Sequence, residues 1–226
     1  MSVEKRFEIR KLLPGDRARV RELCCETGFL GNPIDPVFED RELFADYLTA
    51  YYTDWEPESA FVLLVNGDIR GYLLGSRFPM KQRIFDLLNN TWLFVRGIWR
   101  YPRYQEASKK FVRWILTQAW REVPQAPEKT AHFHINLLAD ARSVAYTRGI
   151  MDAYLEYLHA AGEKRVFGQM VVFEERRGTR MFERYGFKVL NKAEITKYRD
   201  LFPEPVYLCT VIKDLDENSR LYAKAS

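Results

Sequence analysis

The chain is short of several things that mark protein classes. Its 226 residues include three cysteines and three histidines. Cys24 and Cys25 are neighbours, which seldom pair, and Cys209 makes the count odd. A disulfide framework is therefore not expected, and a reducing, cytoplasmic setting is. His132, His134 and His159 are not joined by any cysteine pair at ligand spacing, so no structural zinc and no other metal is expected. No apolar run approaches the ~20 residues of a membrane span. The opening MSVEKRFEIRK holds no apolar signal core. Internal repeats are absent as well. What remains is 47% apolar and 29% charged, the balance of a soluble globular protein. A domain of this size buries roughly 70–75% of its unfolded surface, enough for a core without covalent staples.

Charge is unevenly spread. From Arg77 to Lys129 eleven Lys/Arg stand against four Asp/Glu, a local net of +7, which leaves about −3 for the rest of a chain whose total is +4. The same stretch holds Trp92, Trp99, Trp114 and Trp120, four of the five tryptophans.

Periodicity and turn residues give the element order. Phe7 to Leu12 alternates as a strand. Pro14 and Asp16 suit the first turn of a helix that runs to about Glu26 and stops near Gly28. Asp40 can cap a second helix reaching about Tyr52. Phe61–Val65, Asn66-Gly67-Asp68 and Ile69–Gly75 read as a hairpin with a tight Asn-Gly turn. Met80–Trp99 and Tyr104–Trp120 read as helices of an insertion at about 77–130. Ala131–Leu138 is a strand, and Val144–Ala161 a helix with Ile150, Tyr154, Leu155 and Leu158 on one face. Strand Arg165–Val172, short helix Glu175–Arg184 and strands Phe187–Leu190 and Val206–Lys213 complete a single domain over residues 1–226.

Without the insertion, this order resembles the GNAT superfamily of acyl-CoA N-acyltransferases. Phe7-Glu8-Ile9-Arg10 with Pro14-Gly15-Asp16 is similar to that family's opening strand and helix. Ile69-Arg70-Gly71-Tyr72-Leu73-Leu74-Gly75 is similar to its "v-G-y-l-x-G" strand, and Met181 to Phe187 to its "fYerlGF" segment. Glu56 to Val62 and Ala131 to Asn136 resemble the bacterial and O-GlcNAcase-associated acetyltransferase branch. The resemblance implies an α/β (α+β) fold: a mixed, mostly antiparallel sheet of about seven strands flanked by helices. It also implies acetyl-CoA as co-substrate and a small-molecule or peptide amine as acceptor.

In that family a bend of the form Gln/Arg-x-x-Gly-x-Gly/Ala holds the coenzyme A pyrophosphate on backbone N–H groups at a helix N-terminus. Here the bend is Arg142-Ser143-Val144-Ala145-Tyr146-Thr147 and contains no glycine. Arg142 matches the first position, Ala145 replaces the first glycine, and Thr147 stands at the second. Ala145 fits if its φ is negative; the Thr147 hydroxyl can donate to a phosphate, and Arg142 and Arg148 supply positive charge. With Leu137, Leu138 and Tyr146 these residues form the implied coenzyme A site. The alternative is a packed helix start that holds no nucleotide.

The implied chemistry is direct attack of an amine on the thioester. A free amine has a pKa near ~10.4 and must lose a proton first. His134 is the candidate base, because histidine titrates near neutrality. His132, His134 and Asn136 alternate along one strand and share a face, which either lines the acceptor cleft or packs under the inserted helices. The family's acid, a tyrosine, would fall at position 182, where this chain has Phe182. Tyr185 lies one turn on and is either a substitute acid or a core residue. Glu26, Thr27, His132 and Tyr207 are the remaining acceptor-contact candidates.

For the insertion, Ile84, Leu88, Val95 and Trp99 give a stripe at turn spacing. One reading packs these helices on the sheet and leaves a solvated basic face. Others are a lid favouring an acidic or aromatic acceptor, a homodimer contact through the tryptophans, or a nucleic-acid surface. A catalytically inactive GNAT-fold binding or regulatory protein, binding RNA through the insertion, is the alternative to an enzyme.

Overall fold

The computed structural model describes residues 6–173 and 183–215. Seven strands form one sheet in the order β1-β2-β3-β4-β5-β7-β6. They are β1 (Phe7–Lys11), β2 (Ala60–Val65), β3 (Asp68–Ser76), β4 (Ala131–Leu137), β5 (Arg165–Val172), β6 (Lys188–Glu194) and β7 (Tyr207–Asp214). Every neighbouring pair is antiparallel except β4 and β5. The expected α/β fold class and strand count are what the molecule has.

Local sequence explains the joints. The β2–β3 turn places Asn66 and Gly67 at φ 54° and 89°, the left-handed pair that matches strand twist. Helix α1 (Arg17–Thr27) follows a single turn of 3-10 helix at Pro14–Asp16. Asp16 does not cap it by side chain; its carboxylate takes two bonds from the Arg10 guanidinium (2.6 and 2.9 Å) and one from the Leu13 N–H (2.8 Å). Helix α2 (Arg41–Ala50) is capped as expected, with the Leu43 N–H donating to Asp40 at 3.0 Å. It continues beyond Ala50 as a wider π turn, Tyr51–Trp55.

Two cores flank the sheet. Phe61, Leu63, Leu73 and Phe133 pack against α6 (Val144–Ala160) through Ile150 and Tyr154. On the opposite face Val62, Tyr72 and Leu74 pack with Val20 and Leu23 of α1 and Phe44 of α2. The insertion contributes Phe85, Tyr104 and Phe111 to this second core. It consists of α3 (Pro79–Arg100), α4 (Glu106–Thr117) and the short α5 (Ala119–Glu122). The single helix expected over Tyr104–Trp120 is broken at Gln118, and the break lets Glu122 accept from the Trp114 indole (2.6 Å) and from Thr196 (2.7 Å). The helix expected at Glu175–Arg184 lies outside the described residues but for Glu183 and Arg184, which are helical.

The orientation of α3 departs from expectation. The stripe Ile84, Leu88, Val95, Trp99 faces solvent, each residue more than half exposed. Inward, Arg96 pairs with Asp46 (2.6 Å) and Glu42 (3.1 Å), and Arg100 with Asp40 (2.9 Å) and Glu42 (3.2 Å). Three carboxylates of α2 and its cap thus fix which face of α3 turns in.

The start of the insertion rests on Glu56, which is fully buried. Its carboxylate accepts from the Tyr51 hydroxyl (2.5 Å), the Ser59 hydroxyl (2.7 Å), the Ser76 hydroxyl (2.8 Å) and the Arg77 N–H (2.7 Å). Removing it takes a buried acceptor from four donors, of which Tyr51 and Ser59 keep a second contact, to the Phe78 carbonyl (3.4 Å) and the Tyr157 hydroxyl (3.0 Å). Glu56→Ala is expected to cost about 3 kcal/mol or more in urea unfolding; a loss below about 1 kcal/mol would show that the junction has other support.

Candidate active site

Strands β4 and β5 pair over only three positions, Ala131↔Val166, His132↔Phe167 and Phe133↔Gly168. Beyond them β4 keeps β3 on one side, and β5 keeps β7. From His134 to Leu137 the β5-facing edge of β4 therefore has no strand partner among the described residues. This opening leads through Leu138 and a short 3-10 turn to the N-terminus of α6.

There the first helical turn is arranged to receive an anion. Ser143 is the N-cap, accepting from the Tyr146 N–H at 3.1 Å. The Thr147 N–H and hydroxyl both donate to the Ser143 carbonyl, at 3.0 and 2.9 Å. Val144 and Ala145 are exposed, and their N–H groups, at the first two helical positions, have no acceptor within the helix. No residue of the bend has positive φ, so the missing glycines are not required by backbone conformation. Arg142 serves the loop itself: its guanidinium donates to the carbonyls of Leu137 (3.1 Å) and Gly31. Gly31 sits at φ 87°, and a side chain there would collide with that guanidinium. Arg148 lies over Asp152 (3.7 Å) on the exposed side of α6.

The expected coenzyme A residues thus gather at one end of the opening. The expected catalytic residues do not all join them. His132, His134 and Asn136 share the face of β4 that looks toward α2 and α3. The His132 Nε2 meets the Tyr52 hydroxyl at 2.9 Å, and the Gln82 amide of α3 donates to the same hydroxyl at 3.3 Å. Asn136 donates to the Tyr72 hydroxyl at 2.7 Å. The His134 ring lies edge-on between Tyr52 and Tyr72, at 5.1 and 5.7 Å, and its buried Nε2 has no hydrogen-bond partner.

Burial takes His134 down to about 3, helped by charge on His132, and His132 down to about 4. Both rings are neutral at pH 7. A ring that far below its ordinary value holds a proton poorly, so His134 is a weak base, against expectation.

Other expected residues are drawn elsewhere. Thr27 is buried and spends its hydroxyl on Leu23 of its own helix (2.8 Å). Glu26 pairs with Arg19 (3.3 Å). Tyr207 packs with the α6-side core, under the Lys192 ammonium at 3.7 Å, and so lies across the sheet from the histidines. Tyr185 reaches the Val144 carbonyl at 3.5 Å, at the α6 start and not beside His134. Phe182 lies outside the described residues.

The residue that the sequence reading missed is Asp86. It lies one helical turn past Gln82 on the inward face of α3, half-buried, with no hydrogen-bond or ion-pair partner among the described residues. Burial raises the hydroxyl pKa of Tyr47 and Tyr52, and the Asp86 charge adds to both shifts, which places it near them. Burial pushes its carboxyl up to about 6. One signal was available: Asp86 is the single acidic residue between Arg77 and Gln105.

Comparison with known proteins follows this geometry. No family model matches the sequence, and no curated protein does. Solved structures do. SsHAT is 26% identical over 93% of this chain and 99% of its own, with a TM-score of 0.63. The yncA protein of Salmonella typhimurium, solved with acetyl-CoA, is 13% identical over 93% and 95%, with a TM-score of 0.54. The Drosophila melanogaster polyamine N-acetyltransferase is 11% identical over 92% and 100%, with a TM-score of 0.56.

The histidine pair predicts acid lability. Below the unfolded value near ~6.5 the unfolded chain takes up protons that the folded chain refuses, so stability falls as pH drops from there toward 4. The urea midpoint of the wild type is expected to fall between pH 7 and 4.5, and that of His134→Phe to fall less. Equal slopes would show that the ring is not held neutral by the fold.

Proposed function

We propose, from the GNAT fold that this chain has, that it is an N-acetyltransferase moving the acetyl group of acetyl-CoA to a primary amine by direct attack. The observation that carries this reading is the opening between β4 and β5, which ends at the two open N–H groups of Val144 and Ala145. A pyrophosphate at those N–H groups gains from the positive end of the α6 dipole. The pantetheine arm then runs along the unpaired edge of β4, past Leu138, Leu137 and Asn136, and brings the thioester toward His134. Thr147, Arg148 and Tyr146 flank the phosphates, and Arg142 holds the loop in shape through its bonds to Leu137 and Gly31.

The acceptor enters from the α2–α3 side. Asp86 draws a cationic amine toward the opening, so the acceptor is basic and not the acidic one that the charge of the insertion suggested. Near pH 7 a carboxyl titrating at about 6 is mostly ionised and free to accept the amine proton, an uphill transfer of about 6 kcal/mol from a free amine at ~10.4 but a smaller one than to an ordinary carboxylate. The neutral amine then bonds to the carbonyl carbon as the C–S bond breaks; its first proton stays on Asp86, and the second, shed by the nitrogen as the amide forms, passes to the departing sulfur. The sulfur leaves as a thiolate, which a thiol pKa near ~8.5 permits without a dedicated acid. His134 and Asn136 orient the amine, with Tyr72 holding Asn136 in place. A role for Tyr185 is confined to the α6 start, where its hydroxyl already lies.

Two measurements test this. Titration calorimetry with acetyl-CoA is expected to give micromolar binding, weakened at least tenfold by Ala145→Glu, whose exposed carboxylate would repel the pyrophosphate. No binding at millimolar acetyl-CoA would overturn the enzyme reading. In an amine acetylation assay, kcat/KM is expected to rise with pH to a level above about 6, and Asp86→Asn to lower kcat about 100-fold and remove that rise. Because the raised carboxyl costs the folded state above its pKa, the same variant should be no less stable than wild type at pH 7.5. An active Asp86→Asn protein would remove this residue from the chemistry.

A further inference from the structure

Helix α3 is amphipathic in the inverted sense. Its inward face carries Gln82, Asp86, Asn89, Arg96 and Arg100 beside only Phe85 and Leu93 as buried apolar residues. Its outward face carries Ile84, Leu87, Leu88, Val95, Ile98 and Trp99, which are 53–72% exposed. At 3.6 residues per turn these six fall within an arc of about 120°, along a helix about 33 Å long. The inward ion pairs of Arg96 and Arg100 lock this orientation, so the apolar arc cannot turn in without breaking them. An exposed apolar surface of this extent marks a docking face.

The rim of the arc says what docks. Lys81, whose ammonium donates to the Trp55 carbonyl, lies at one edge of the arc; Arg83, paired with Glu128 at 3.6 Å, lies about 40° beyond the other edge; and the Arg103 guanidinium sits over the Trp99 ring at 5.0 Å. The +7 of residues 77–129 is partly spent inward, where Arg96 and Arg100 pair with α2 carboxylates, so the charges the face presents are those of its margin. Two copies of the chain meeting here would set these charges against each other. A broad apolar arc with tryptophan and basic residues at its margin is the pattern of a helix lying in the plane of an anionic lipid surface. No described helix is long and apolar enough to cross a membrane, so α3 would lie on the surface and not span it.

We propose that the outer face of α3 seats the protein on anionic lipid bilayers, with the aliphatic side chains in the acyl boundary and Lys81, Arg83 and Arg103 at the headgroups. The polar face of α3, with Gln82 and Asp86, then looks away from the lipid toward β4. The acceptor opening is carried close to the bilayer without being closed by it.

The test is flotation of the full chain with vesicles of phosphatidylcholine and phosphatidylglycerol at 3:1, and with phosphatidylcholine alone. The wild type is expected to float with the mixed vesicles, with at least tenfold weaker binding to the neutral ones and to the mixed ones in 0.5 M salt. Tryptophan emission should shift to the blue on binding. Leu88→Glu/Ile98→Glu alters only exposed side chains and is expected to abolish binding while circular dichroism and the melting temperature stay unchanged. Absence of vesicle binding would overturn the proposal, and light scattering would separate two causes. A dimer lost in the variant would mean that a second copy covers the face, and a monomer that nothing does so under these conditions. Binding that the double variant retains would overturn it too, by placing the lipid contact elsewhere.

Discussion

The carboxylate of Glu56 is the constraint on which the architecture of the site turns. It is fully buried, and it is satisfied by donors from four places: the start of the α2 extension, the turn into β2, the last residue of β3 and the first residue of the insertion. A buried carboxylate is tolerated only where hydrogen bonds replace its water. Four short bonds do so here, and they fix the direction in which the chain leaves the sheet. Tyr51, held by Glu56, sits next to Tyr52, and Tyr52 meets His132. The position of α3 over β4 thus follows from one residue that touches none of the proposed chemistry.

A second layer of control comes from α2. Asp40 caps that helix, and it also accepts from Arg100 and from the Tyr104 hydroxyl. Burial works against its charge, but the hydrogen bonds from Tyr104 and Arg100 prevail and hold the carboxyl below its ordinary value. Asp46 and Glu42 add the ion pairs to Arg96. The Asp40 and Asp46 contacts are partly buried, so they are screened less than surface pairs such as those of Glu42. They let a helix with a polar inner face dock on a folded core, which hydrophobic burial alone would not favour.

The β framework was legible because its signals are local. Asn66-Gly67 between two apolar runs states a hairpin, and the bend before Val144 states a helix start. The residues proposed to hold coenzyme A are contiguous, so they could be named from sequence for the same reason. The acceptor end was not, because it is assembled from α2, α3 and β4. His134 reads in sequence as a residue that titrates near pH 7; only the packing of Tyr52 and Tyr72 around it shows that the ring stays neutral. Asp86 was hidden among cations, and its burial depends on which face of α3 turns inward. The packed reading of the α3 stripe fails on the same point: an apolar stripe normally marks the buried side, and here long-range ion pairs to α2 overrule the pattern.

These features bear on one another. A helix that presents Asp86 inward cannot also bury its aliphatic stripe, because Asp86 and Leu88 point to opposite sides of the same turns. A carboxylate on the inward face of α3 therefore brings an exposed apolar face with it, and that face must be covered or tolerated. Shielding it with polar residues was open to evolution at positions 84, 87, 88, 95 and 98, each of which tolerates any side chain sterically because it faces solvent. All five are aliphatic. Retaining five such residues at helical spacing on an exposed surface costs solubility and gains no internal packing. The arrangement is accounted for when the outer face has a function of its own, and the inverted polarity of α3 then meets two demands at once: a charge toward the acceptor and an anchor away from it.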